Sequence, residues 1–417
     1  MPLTSIDRTV PWADLPPELC GLVVDRLDAF SVLCFPAVCK SWAAACKETP
    51  RLLRSGAPTL LTSGLDGYGY RYRINDIKTG TFGLHDVSTG KSFRGEAEGL
   101  RCKCWVGGKD DWLVTMDTRF NLELVNPVTG DRIRLPSFNT IPGAEVDKLD
   151  LLVEPRSVYR FQQVILCQTP AHRNGYLAVA RFSYAFLAFT AAGDECWTTL
   201  ENHIEGYMIY KDAIFHKGKL FAVSRYGRIY VWDMDSETKD PAVVRAPEIQ
   251  LTHLRGRYRF NLAPSSSGQL LLVLTYGGRI SGKDITRLIY TEQLNFDAYG
   301  ILLHELDTDI GAWRRVSDLG GDHALFLGAS VGASYPFYVS VPRGSKYLKA
   351  NCVYVADMSG YDAVVFNLEQ GSVCGFEPLV YPVVGGPLQS PMWFRPTARL
   401  EGQMPVKQSG SKQTFNL

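Results

Sequence analysis

The sequence predicts a mainly β protein: a β-propeller of six or seven blades preceded by a small three-helix domain. Three observations carry that reading. All of the 38 glycines except Gly21, Gly56, Gly402 and Gly410 fall between residues 57 and 400. Across that stretch short β-prone runs alternate with turn residues, and no long amphipathic helix interrupts them. Residues 11–55 instead carry apolar residues at helical spacing.

The helical segment comes first. Pro16 and Pro17 suit a first helical turn, where a missing N–H costs little. Leu19, Leu22, Val23 and Leu27 follow at spacings of three and four and make one apolar stripe. Ser31 can cap a second helix, and Pro36 sits where a third can begin. Val38, Trp42, Ala45 and Cys46 form its stripe. Pro50, Gly56 and Pro58 end the segment. So short a unit has too little core to stand well alone and is expected to dock on a partner.

The β region begins at Thr59-Leu-Leu-Thr62 and ends at Met392-Trp-Phe-Arg395. Ala213 to Asp233 holds three strands joined by the Lys217-Gly218 and Tyr226-Gly227 turns. Similar runs occupy Gln269 to Thr275, Leu302 to Val316 and Cys352 to Leu368. A turn of one kind recurs: Asp86-Val-Ser-Thr-Gly90, Asn126-Pro-Val-Thr-Gly130 and Phe366-Asn-Leu-Glu-Gln-Gly371. Repeats of about 50 residues with about four strands each are the mark of propeller blades. The alternative, a pair of β-sandwiches, does not explain turns of one type along the whole stretch. The first and last runs are the natural pair to close the ring, with Trp393 buried between blades. Residues 401–417 are polar and are expected to form a disordered tail.

Composition narrows the function. Lys+Arg is 44 and Asp+Glu 43, a formal net charge of +1, which argues against a surface built for polyanions. Ten cysteines are too sparse for a disulfide scaffold. Met1 to Pro11 has no apolar run of signal-peptide type. Gly175 to Gly193 is apolar but interrupted by Arg181, Ser183 and Tyr184, so it reads as two strands and not a membrane span. The cytoplasm, the nucleus or both are the expected location. No G-x-S-x-G, G-x-x-x-x-G-K-[ST] or H-E-x-x-H motif is present, and no cofactor or metal is expected. Cys102-Lys-Cys104 lacks further zinc ligands nearby and reads as alternating residues on one strand face. Asp110-Asp111 and Asp307 with Asp309 read as acidic turns facing water. Arg71 and Arg73 with Tyr70 and Tyr72, and Arg255-Gly-Arg257-Tyr-Arg259-Phe260, interleave cations with rings. On a strand this alternation puts arginine outside and aromatics inside, so nucleic-acid binding is not expected, and an acidic partner segment fits better.

The N-terminal unit resembles an F-box. Leu15-Pro16-Pro17-Glu18-Leu19, Val23, Arg26-Leu27 and Val38-Cys39-Lys40-Ser41-Trp42 follow the family pattern in order and spacing over about 30 residues. Ser31 and Cys34 depart from it, standing where the family commonly has Asp and Arg. The remainder resembles the kelch-like C-terminal domain of the large plant F-box families. That resemblance rests on Trp112-Leu-Val, Asn126-Pro-Val-Thr-Gly130, Leu187-Ala-Phe, Gly193-Asp-Glu-Cys-Trp197, Asn351-Cys-Val-Tyr, Val365-Phe-Asn-Leu and Pro391-Met-Trp-Phe-Arg-Pro396.

The resemblance implies an F-box domain at 11–55, a substrate-recognition propeller at 57–400 and no chemistry by the chain itself. It implies a substrate-recognition subunit of an SCF-type E3 ubiquitin ligase. A Skp-type adaptor would be bound through Leu15, Pro16, Leu19, Val23, Leu27, Val38, Cys39 and Trp42, with Glu18 and Lys40 at the rim. A cullin and a RING protein would join through the adaptor, and the propeller would hold an unknown target protein. Two other readings stand beside it: a propeller scaffold acting outside a ligase, and a propeller enzyme such as a glycosidase or lyase.

Overall fold

The computed structural model describes residues 12–24, 27, 35, 38–48, 58–63, 80–117, 119–141, 161–182, 187–200, 209–236, 242–244, 258–276, 300–328, 335–356, 362–378 and 392–395. Two helices stand among them, α1 (Pro17–Val24) and α2 (Lys40–Glu48), after a 3-10 turn at Trp12–Asp14. The expected middle helix lies outside the described residues, as do Arg71, Arg73, Arg255, Arg257 and the tail.

The β region forms six sheets, so the blade number is six. Blade 1 comprises β1 (Thr59–Ser63), β2 (Thr81–Asp86), β3 (Ser92–Glu96) and the last strand of the chain, β25 (Met392–Phe394). Blade 2 runs β4 (Cys104–Lys109), β5 (Trp112–Met116), β6 (Leu122–Val125) and β7 (Arg132–Arg134). Blade 3 has β8 (Phe161–Gln168), β9 (Leu177–Phe182), β10 (Leu187–Ala191) and β11 (Thr198–Leu200). Blade 4 has β12 (Tyr210–His216), β13 (Lys219–Ser224), β14 (Ile229–Asp233) and β15 (Ala242–Val244). Blade 5 has β16 (Tyr258–Pro264), β17 (Leu270–Tyr276), β18 (Gly300–Asp307) and β19 (Ala312–Val316).

Blade 6 breaks the pattern. It has five strands in the order β21 (Phe337–Ser340), β20 (His323–Gly328), β22 (Cys352–Ala356), β23 (Asp362–Asn367), β24 (Ser372–Pro378). β20 and β22 are parallel because the chain doubles back through β21 before returning past the start of β20. The amides of Val341 and Asn351 bond the carbonyls of Asp322 and His323 on that return.

Six apolar clusters hold the ring, one at each blade junction. Phe82, Leu84 and Met392 of blade 1 meet Trp105 and Leu113 of blade 2. Trp232 and Tyr210 of blade 4 meet Ile165 and Val179 of blade 3. The last junction closes the ring as the two ends of the β region predict: Leu60 pairs with Trp393 across β1 and β25. Trp393 packs on Phe326 of blade 6, ring centroids 4.9 Å apart, and its indole N–H donates to the Leu327 carbonyl at 2.8 Å. A strand from each end of the β region in one sheet leaves no blade with its innermost edge open to drift.

The recurring turn also has a physical cause. It joins the last two strands of a blade. Asn126 Oδ1 accepts the Val128 and Thr129 amides, and Gly130 N–H returns to the Asn126 carbonyl. The Gly130 φ of 76° is one that only glycine takes without strain. Asp86 to Gly90 and Asp307 to Gly311 repeat the arrangement.

Candidate functional site

The helical unit has its own small core. Cys20, Phe35 and Ala45 are buried, and Leu15, Val23, Leu27 and Trp42 pack against them. Phe35 and Trp42 stack with centroids 4.3 Å apart. Trp42 Nε1 donates to the Trp12 carbonyl at 2.7 Å, which ties the start of the segment to α2. The eight residues expected at an adaptor surface therefore divide. Leu15, Val23, Leu27 and Trp42 are half-buried members of the local core, while Pro16, Leu19 and Val38 stand exposed. Val38 precedes α2 instead of lying on its stripe, because the helix starts only at Lys40.

Cys39 takes the place of a helix cap. Its sulfur accepts the Trp42 amide at 3.5 Å and lies 3.0 Å from the Ser41 hydroxyl. The Ser41 hydroxyl and then the Trp42 amide hold the thiol below the usual range. Trp12 and Leu22 are also exposed, 61% and 51%. Leu22 carried a sequence signal, since it lies three residues beyond Leu19 on α1 and shares its face. Trp12 carried none.

The propeller has two ends. The innermost strands β4, β8 and β12 finish at one of them, and there a side chain from blade 6 crosses the axis. The Tyr335 amide donates to the Gly108 carbonyl at 2.9 Å and its hydroxyl to the Phe215 carbonyl at 2.8 Å. It thus ties blade 6 to blades 2 and 4. Lys109 Nζ sits 3.3 Å from the centroid of the Tyr335 ring and donates to the Cys167 carbonyl of blade 3 at 2.9 Å. Burial brings the Lys109 ammonium down to about 8. Arg395 closes the blade 1–2 seam through Asp110 Oδ1 at 2.7 Å. These groups are engaged in holding the ring.

Two expectations change here. Asp110 is paired with Arg395, and Asp111 is buried and accepts the Asn126 side-chain amide at 3.0 Å, so this pair is not a turn facing water. Both carboxylates are recruited to hold neighbouring chain segments. Cys102 and Cys104 do not share a strand face: Cys102 lies in the turn before β4 at φ 54°. Burial pushes the Cys104 thiol up to about 12. No group of three His, Cys, Asp or Glu side chains stands together among the described residues. Gly175 to Gly193 does form two strands, β9 and β10, and no helix among the described residues is long and apolar enough to cross a membrane.

A helical unit with exposed apolar residues, joined in one chain to a closed six-bladed ring, defines an F-box protein with a propeller as its second domain. The F-box domain model matches residues 12–54 and the KIB1-4 beta-propeller model matches residues 82–367; the chain belongs to the KIB1-4 beta-propeller family. Its relatives include F-box protein KIB3 of Arabidopsis thaliana, 19% identical over 83% of this chain and 73% of that protein. F-box only protein 7 of the same plant is 19% identical over 78% of this chain and 81% of its own length. Tubby-like F-box protein 3 of Oryza sativa subsp. japonica matches only 9% of this chain and 10% of itself, at 48% identity. The family's general character is that of a substrate-recognition adaptor.

Proposed function

We propose that the chain is the substrate-recognition subunit of an SCF-type ubiquitin ligase. The helical unit docks a Skp-type adaptor, which brings a cullin and a RING protein, and the propeller captures the target protein. The exposure of Leu19 carries this reading, 45% in a unit with three buried core residues among those described. Apolar side chains left outside so small a core gain by burial against another protein's helices. Leu15, Val23, Leu27 and Trp42 then shape the surface from beneath, while Pro16, Leu19, Val38 and the exposed edge of Cys39 meet the adaptor. Catalysis belongs to the ligase partners, and the cytoplasm or nucleus is where such a complex would work.

The test is a pull-down of purified full-length chain with a Skp-type adaptor, using Leu19→Asp with Leu22→Asp. Both positions are exposed, so folding is spared, and a central anchor is worth about 2 kcal/mol or more. Binding by the wild type and at least a tenfold loss in the variant supports the proposal. No binding by the wild type, or equal binding by the variant, overturns it, the former in favour of a scaffold acting outside a ligase.

A further inference from the structure

The opposite end of the ring, where β12 and β16 begin, gathers positive charge from three consecutive blades. Lys211 is the extra residue of a bulge: Tyr210 pairs with Ser224 and Asp212 with Val223, so Lys211 has no opposite number and turns out of the ladder. Arg225 follows β13 in the tight turn to β14, and its amide bonds the Ile209 carbonyl at 2.8 Å, which sets it beside the start of β12. Arg259 is the second residue of β16, outward between inward Tyr258 and Phe260. Arg181 is buried beneath them and donates through Nη1 to the Tyr210 carbonyl at 2.8 Å.

Lys211, Arg225 and Arg259 are exposed. The cluster shares one field: partial burial and then the charges of Arg181, Arg225 and Arg259 hold the Lys211 ammonium below the usual lysine range. Asp212 offsets part of that charge from inside, where its carboxylate is engaged by the Leu262 amide at 2.9 Å and the Asn261 side chain at 3.5 Å. Beside the cations stands an aromatic surface. Tyr226 is 57% exposed, with the Arg225 guanidinium 5.0 Å from its ring centroid.

We propose that this end of the ring binds a carboxylate-rich peptide segment of the captured protein, with Lys211 and Arg225 as the cationic contacts and Tyr226 as a packing surface. The inference rests on the propeller being the capture domain. Charge complementarity selects an acidic peptide over nucleic acid. A nucleic-acid surface usually lies on a strongly basic domain. Here a few exposed cations sit on a chain of net charge +1. The Arg225 guanidinium can meet a carboxylate two oxygens at a time.

Fluorescence anisotropy of labelled octaglutamate on the full-length chain tests this, with octaglutamine and an oligouridine as the comparison probes. The wild type is expected to bind octaglutamate, more weakly as salt rises, and to ignore octaglutamine. K211E with R225E should weaken it at least tenfold, and K211Q with R225Q less, with thermal melting unchanged in both. Failure of the wild type to bind, equal binding by the variants, or capture of oligouridine in place of octaglutamate would each overturn the proposal. The same variants are assayed for retention by the Skp-type adaptor. Adaptor binding without peptide binding sinks this inference alone, and peptide binding without adaptor binding sinks only the ligase reading.

Discussion

Replacing Trp393 with alanine should open the ring. The side chain is 1% exposed at the junction of blades 6 and 1, edge-on to Phe326, with its N–H on the Leu327 carbonyl at 2.8 Å. Truncating a buried tryptophan typically costs about 3–5 kcal/mol through lost transfer energy and the cavity left behind. The stranded Leu327 carbonyl adds to this, since Leu327 is itself 1% exposed and a buried group without a partner costs about 1–3 kcal/mol. Trp393→Phe separates the two terms, retaining much of the packing while removing the donor. Urea unfolding of the full-length chain, followed by far-UV circular dichroism because the variant loses a fluorophore, should give a loss of about 4 kcal/mol or more for alanine and roughly 1–3 kcal/mol for phenylalanine. Hydrogen exchange in β1 and β25 should accelerate first, because the seam is where the sheet is closed by strands from the two ends of the region. An alanine variant within about 1 kcal/mol of wild type would refute the reasoning, since no well-packed closing tryptophan is that dispensable.

Two further outcomes follow from polar groups. Tyr335→Phe keeps the ring over Lys109 but strips the hydroxyl from the Phe215 carbonyl, so calorimetric melting should show a stability loss on the order of 1–2 kcal/mol; no change would mean that the axial tie is unimportant. Burial raises the Asp212 carboxyl to about 6, from an unfolded value near 3.8, so the folded state holds the extra proton between those values. Its stabilisation is present below pH 4 and is lost as pH rises through 6, so the wild type should weaken relative to Asp212→Asn over that window, by on the order of 1–3 kcal/mol. Parallel stability curves for the two proteins would contradict it.

Much of the ring was legible because blade chemistry is local. Turn residues at Asp86, Asn126 and Asn367 satisfy their own neighbours' amides, so composition alone exposes the hairpins. Closure was readable for a related reason: the two terminal β runs need partners, and Pro391 and Pro396 stop the last from extending. Blade 6 was not readable, because a parallel pair formed by doubling back leaves no spacing in the sequence. Nor were the axial ties, which join Lys109 to Tyr335 and Asp110 to Arg395 across more than two hundred residues. In the helical unit, periodicity found the apolar stripe but not which of its members face out. Leu15 and Trp42 were as good candidates by spacing as Leu19, and only the packing around Phe35 separates them.

The irregular blade shapes where recognition can occur. By running β21 along the inner edge, blade 6 carries Tyr335 across the axis and fills the end where the inner strands finish. Lys109, Asp110 and Arg395 at that end are spent on each other, on the Tyr335 ring and on a backbone carbonyl. At the other end the chain does the reverse: the bulge at Lys211 breaks ladder regularity and turns a lysine outward beside Arg225. Inner strands β4, β8 and β12 all carry such bulges, and the one in β12 re-aims Lys211 toward that surface. On the proposed reading, a ring tied by Tyr335 at one end and carrying Lys211 and Arg225 at the other divides holding from capture between its two ends. On that division, Tyr335→Phe should cost stability while leaving octaglutamate affinity within about twofold, and K211E with R225E should do the opposite.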